Sequence, residues 1–221
     1  MAETVGIPTE GQDPRAEETG FYHESALNAQ WTGSRLAIGG LSFLFGAFVF
    51  AYFYLRALNS DGRWQGSGFH APSAIWGAVI MLLVLVSAGA QYAGLQQIKT
   101  GNKRLWQIGA LIALAMGIAA VALQISELLY LPFAPASSGY SSVFVGFYPV
   151  FLTILLAVML WLETLLARSR FIPAIFFAEQ PPTFEGAFAV QRFQASLSSF
   201  TLVWNYLAAV AVLFWLIFYV I

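Results

Sequence analysis

The stretch LWQIGALIALAMGIAAVALQISELLYL, residues 105–131, decides the fold. It carries no charge before Glu127. An α-helix needs about 20 apolar residues to cross a hydrocarbon core. In that core only a helix satisfies its own backbone over such a run. Barrel strands would be about 10 residues long and would alternate polar with apolar, which this stretch does not do. Four more runs read the same way, giving predicted spans at about 36–55, 74–95, 105–131, 143–167 and 199–221. The expected fold is all-α: a polytopic membrane protein with a five-helix transmembrane bundle over residues 35–221, behind a polar tail over residues 1–34.

Composition agrees. The chain of 221 residues is 59% hydrophobic and 10% charged, where soluble domains carry about 25% charged residues. Mean hydropathy is +0.71. A net charge of -1, with ten Lys and Arg nowhere clustered into a patch, excludes nucleic acid as an expected partner. There is no cysteine, so thiolate metal sites, disulfides and Cys nucleophiles are excluded. Haem between helices needs axial ligands such as His or Met within the bundle. The two histidines, His23 and His70, lie outside the spans, leaving Met81, Met116 and Met159, whose type is more often core filler. No cofactor of its own and no catalytic site are expected.

Basic residues set the expected orientation. With the N-terminus cytoplasmic, that side receives Arg15, Arg35, Lys99, Lys103, Arg104, Arg168, Arg170 and Arg192, and the other receives Arg56 and Arg63. This bias places the N-terminus inside and the C-terminus outside, in the plasma or inner membrane. The tail is acidic around Glu17 and Glu18, shows no cleaved signal peptide, and is expected to be poorly ordered or loosely docked. Phe21, Tyr22 and Trp31 would pin its second half to the membrane surface. Residues 168–198 form the one long connection. Phe171, Ile172, Ile175, Phe176 and Phe177 precede the breaker Gln180-Pro181-Pro182. An interfacial stretch is expected there, a plain loop being the alternative.

Glu127 and Glu163 are the carboxylates inside the spans, and such groups are functional suspects. At about 1.5 Å per residue from Leu105, Glu127 lies roughly 30 Å along its helix, near the far boundary. Glu163 sits near the other boundary, close before Arg168 and Arg170, and reads as an ion-pairing or snorkelling residue. Gln124 shares a face with Glu127, one turn away. The pair suits contacts to a neighbouring helix, a subunit or a lipid headgroup more than a proton relay. Gln91 would join them only at matching depth. Gly109, Ala113 and Gly117, with Ala90 and Gly94, recur every fourth residue and predict close helix packing. Pro149 reads as lying early in the fourth span, where proline costs little.

Several segments resemble one family. Trp204-Asn205-Tyr206-Leu207-Ala208-Ala209-Val210-Ala211, followed by Phe218-Tyr219, is similar to the last helix of cytochrome c oxidase subunit III, with its W-H-F-V-D-x-V-W and late tyrosine. Asn205, Ala208 and Ala211 replace the family His, Asp and second Trp. Phe50-Ala51-Tyr52-Phe53-Tyr54-Leu55-Arg56 resembles the family helix ending F-A-x-Y-x-x-x-R, whose buried Glu falls on Leu41. Gln124-Ile125-Ser126-Glu127 resembles Q-x-x-E-Y, with Leu128 in place of the aromatic. Ser137-Ser138-Gly139-Tyr140-Ser141-Ser142-Val143-Phe144 resembles S-x-x-Y-G-S-x-F. The family's next two histidines fall near Phe151 and Ile154. The resemblance runs from Leu36 to Ile221 and includes the five-helix topology.

It implies a divergent, non-catalytic subunit of a respiratory terminal oxidase, or of a related haem-copper or nitric-oxide-reductase complex. Haem and copper would belong to the partner, catalytic subunit I. This chain would bind structural phospholipids and support assembly. On that reading Arg56 meets a lipid phosphate or simply snorkels, Trp204 packs lipid or helix, and Gln124 with Glu127 makes polar contacts. The alternative is a small-solute transporter or channel component working as an oligomer.

Overall fold

In hydrocarbon, burial of apolar surface does not drive helices together, so close packing and hydrogen bonds must. The computed structural model describes residues 14–59, 64–65, 70–179 and 183–221, and is built on those two devices. Helices α1 (Pro14–Leu58), α2 (Ala74–Lys99), α3 (Lys103–Leu129), α4 (Gly139–Ser169), α5 (Ile175–Ala178) and α6 (Phe184–Trp215) follow in order, and a π-helical turn, Leu216–Val220, ends the chain. No strand occurs among the described residues. Five helices are long and apolar enough to cross a membrane, which makes this a multi-pass membrane protein. Arg63 and the Gln180-Pro181-Pro182 breaker lie outside the described residues, as does the start of the tail.

Local chemistry sets the helix ends. Asn102 caps α3 by accepting from the Leu105 N–H at 3.2 Å. Ser138 and Ser141 form a reciprocal capping box at the start of α4. Thr183 accepts from the Gly186 N–H at 3.2 Å to start α6. Between α2 and α3, Gly101 adopts φ +83°, and a Cβ there would stand 2.9 Å from Ala178 Cα.

α2 and α3 run antiparallel at close range. A Cβ on Gly109 would meet the Ala90 carbonyl at 3.0 Å, and one on Gly94 would meet the Trp106 ring at 3.2 Å. Ser87 Oγ donates to the Ala113 carbonyl at 2.6 Å. The expected small-residue stripe therefore works at Gly109 and Ala113. Gly117 faces α4 instead, under Met159 Sδ, because each fourth residue advances about 40° around the helix.

α6 is central and α1 peripheral: half of the best membrane window of α6 is buried, against 11% for α1. Phe43 and Phe50 of α1 point outward, 84% and 69% exposed.

Two expectations about the connections change. α1 already begins at Pro14, so residues 14–34 continue the first span as helix. Among the described residues the long 168–198 connection holds the single turn α5 before α6 begins at Phe184, fifteen residues ahead of the predicted span. Val190, Phe193 and Leu197 bury one face at helical spacing, and the Phe177 ring meets Phe193 at 5.8 Å. The two extensions support each other. His23 of α1 sets its ring edge-on to Phe188 at 4.0 Å and to Phe184 at 5.0 Å.

Pro149 also differs from expectation. Because α4 starts at Gly139, the proline stands about three turns inside it. Thr153 Oγ1 donates to the Pro149 carbonyl at 2.8 Å one turn later.

Candidate functional site

At the end of the bundle where α3 finishes, polar side chains from separate elements converge. Tyr219 Oη donates to Glu127 Oε1 at 2.6 Å. The Tyr148 and Tyr219 hydroxyls are hydrogen-bonded to each other. A chain Tyr148–Tyr219–Glu127 thus ties α4 to the C-terminal turn and the turn to α3. A second tyrosine of α4, Tyr140, donates to the Phe218 carbonyl at 2.8 Å.

The sequence builds this arrangement by two local devices. On α4, Tyr140, Phe144 and Tyr148 stand four residues apart, so they stack along one face. Successive ring centroids are 5.8 and 4.2 Å apart and nearly parallel. At the C-terminus the helix widens, with the Ile221 N–H bonding to the Leu216 carbonyl five residues back. A wider turn rotates less per residue. Ile217 and Phe218 are both buried, and the largely buried Tyr219 reaches Glu127. Gly77 of α2 makes room, since a Cβ there would overlap the Tyr219 ring.

Two cavities border the cluster. One, of about 360 Å³, is an open cleft between the start of α2 and the end of α3, walled by Ser73, Trp76, Ser126, Glu127 and Tyr130. The other, of about 30 Å³, lies between Gly77, Gln124, Tyr148 and Tyr219 and has room for a water or two. Gln124 is buried, and its Oε1 has no hydrogen-bond partner among the described residues; the same holds for Glu127 Oε2.

The structure brings some sequence candidates together and separates others. Gln124 and Glu127 belong to the cluster. Gln91 does not. It is fully buried on α2 beside the Gly109 level, about 21 Å along the helix from Gly77. Arg56 is half-buried, with its guanidinium 6.0 Å from the Tyr52 ring centroid. Tyr52 in turn meets Phe218 at 5.8 Å, which puts Arg56 at the same end as Glu127. Trp204 lies deep in the bundle, 1% exposed, stacked on Phe200 at 5.5 Å, the helix-packing place of its two expected roles. Glu163 is exposed on α4, and among the described residues no ion pair joins it to Arg168 or Arg170.

Sequence reading singled out neither Tyr148 nor Gly77, and it named Tyr140 and Tyr219 only within segments that resemble the family. The aromatic spacing of four on α4 was the available signal for Tyr148. Gly77 carried none, because its partner is 142 residues away in sequence.

Chemically, the cluster presents one hydrogen-bonded carboxyl group and three phenols. Among the described residues no three His, Cys, Asp or Glu side chains gather as metal ligands. What the geometry does is fasten the ends of α3, α4 and the C-terminal turn to one another. No protein-family model matches the chain, and a search of the curated proteins finds no match.

Proposed function

We propose that this chain is a non-catalytic, subunit III-like component of a respiratory terminal oxidase, supporting the catalytic haem-copper subunit through packing, lipid binding and assembly. One observation carries the reading. The segments that resemble the family come from four places in the sequence, and residues of all four meet at one end of the bundle. Tyr52 contacts Phe218, Tyr140 bonds to Phe218, and Glu127 bonds to Tyr219. An up-and-down bundle brings these helix ends to one side, and it is the contacts between the segments there that support the reading.

On this reading the basic end, with Lys99, Lys103, Arg104, Arg168, Arg170 and Arg192, faces the cytoplasm of a plasma or inner membrane. Glu127 and the C-terminus then lie at the outer face. Arg56, beside the same face, is placed for a lipid phosphate, and Gln124 and Glu127 hold the bundle end. Haem, copper and oxygen reduction belong to catalytic subunit I.

The test is purification through an N-terminal tag from native membranes. A haem-containing partner is expected at fixed stoichiometry, and the chain separated from it should show no haem absorbance. The open cleft beside Glu127 favours the second reading, a small-solute transporter or channel component. That protein would purify as an oligomer of itself and move solute in liposomes.

A further inference from the structure

A groove of about 350 Å³ opens at the basic end, between the end of α4 and the first turns of α6. Leu165, Ile172, Phe188 and Phe193 give it an apolar floor, and Arg168 and Arg192 stand on it from opposite helices. Among the described residues no carboxylate lines it. Both arginines are exposed, and neither is ion-paired among the described residues.

The depth is informative. Arg168 lies about 44 Å along α4 from Gly139. The hydrocarbon core is about 30 Å thick, so the guanidinium stands in the headgroup layer. Two guanidiniums over a greasy floor match an anionic amphiphile. Guanidinium binds phosphate oxygens in a two-point fork, and basic pockets between membrane helices hold acidic headgroups.

We infer that this groove binds one anionic phospholipid, its phosphate between Arg168 and Arg192 and its apolar part against the half-buried Ile172 and Phe188. Three walls, from α4, the loop after it and α6, then close on one lipid. That lipid fastens the α6 extension to the membrane surface. The inference deepens the lipid-binding part of the reading above and makes no use of the oxidase partner, so its failure would leave haem co-purification unaffected.

The experiment uses the full chain in detergent, titrated with phosphatidylglycerol or with phosphatidylcholine of the same acyl chains, bound lipid being counted by native mass spectrometry. The wild type is expected to retain phosphatidylglycerol selectively. R168Q and R192Q should each weaken that retention about fivefold, the value of one surface charge against an acidic lipid. R168K and R192K should retain most of it, and R104Q, at an exposed arginine of the same end that does not line the groove, should leave it unchanged. If the glutamine variants fail to fold, the wild-type selectivity and the lysine variants still decide. Equal retention of the two lipids would overturn the inference, as would unaltered retention in the R168Q/R192Q protein. Displacement of the lipid by an equal concentration of inorganic phosphate would do so too, since it would show a site for an aqueous anion.

Discussion

The α2–α3 interface and the junction of α3, α4 and the C-terminal turn solve one problem with opposite materials. At the first, small residues stand at the points of closest approach. Gly94 and Gly109 let backbones approach until a Cβ would crowd the neighbour, and a single hydroxyl, Ser87, bonds across. At the second, side chains are large and polar-tipped, and phenols span the gap to Glu127 and to the Phe218 carbonyl. The first depends on shape, and an added Cβ would force the neighbour to shift. The second depends on directional bonds, each worth little alone, and should lose stability in steps.

That contrast can be broken at graded cost. The largest effect is expected from Gly109→Leu, which drives a side chain into the Ala90 carbonyl. Overpacking costs about 1–3 kcal/mol, and here backbone must move, so the upper end or outright loss of the folded bundle should appear in detergent unfolding. Gly77→Val comes next. It evicts the Tyr219 ring and with it the bond to Glu127, and about 2 kcal/mol is expected. Tyr219→Phe keeps the packing but removes both hydroxyl contacts and leaves a carboxyl oxygen unpaired. Membrane hydrogen bonds average about 0.6 kcal/mol and reach about 1.7, so a loss near 1 kcal/mol is expected. If Tyr219→Phe proves as costly as Gly109→Leu, the cluster is more than a fastening and the comparison fails. Arg56→Gln should cost the least, about 0.5 kcal/mol or less, and should appear in lipid retention rather than in stability.

The five spans were legible because hydrocarbon imposes a length and a composition that few other structures share. All five recur within a few residues of the expected ends where the flanks are loops, as at Ala74 and Leu129. The flanks that are helices were missed. Residues 14–34 and 184–198 carry enough polar groups to read as tail and connection. Their order comes from tertiary contacts such as His23 on Phe188 and Phe177 on Phe193. The site was half legible. Gln124 and Glu127 stood out as polar groups on one face of a dry span, and Tyr219 through the resemblance. Tyr148 did not, because its pairing with Tyr219 depends on how α4 and the last turn are set against each other. No local pattern encodes that register, and the π-helical widening that delivers Tyr219 is a property of the packed end.

If the polar cluster holds the bundle and performs no chemistry, assembly and turnover must separate. On the proposed reading as an oxidase subunit, the direct measurement is oxygen consumption per haem, alongside the amount of assembled complex, in membranes carrying Tyr219→Phe together with Glu127→Gln. The expected result is less complex with unchanged turnover in what remains. A full complement of complex whose turnover per haem has collapsed would contradict the account and give Glu127 and Tyr219 a part in the reaction itself.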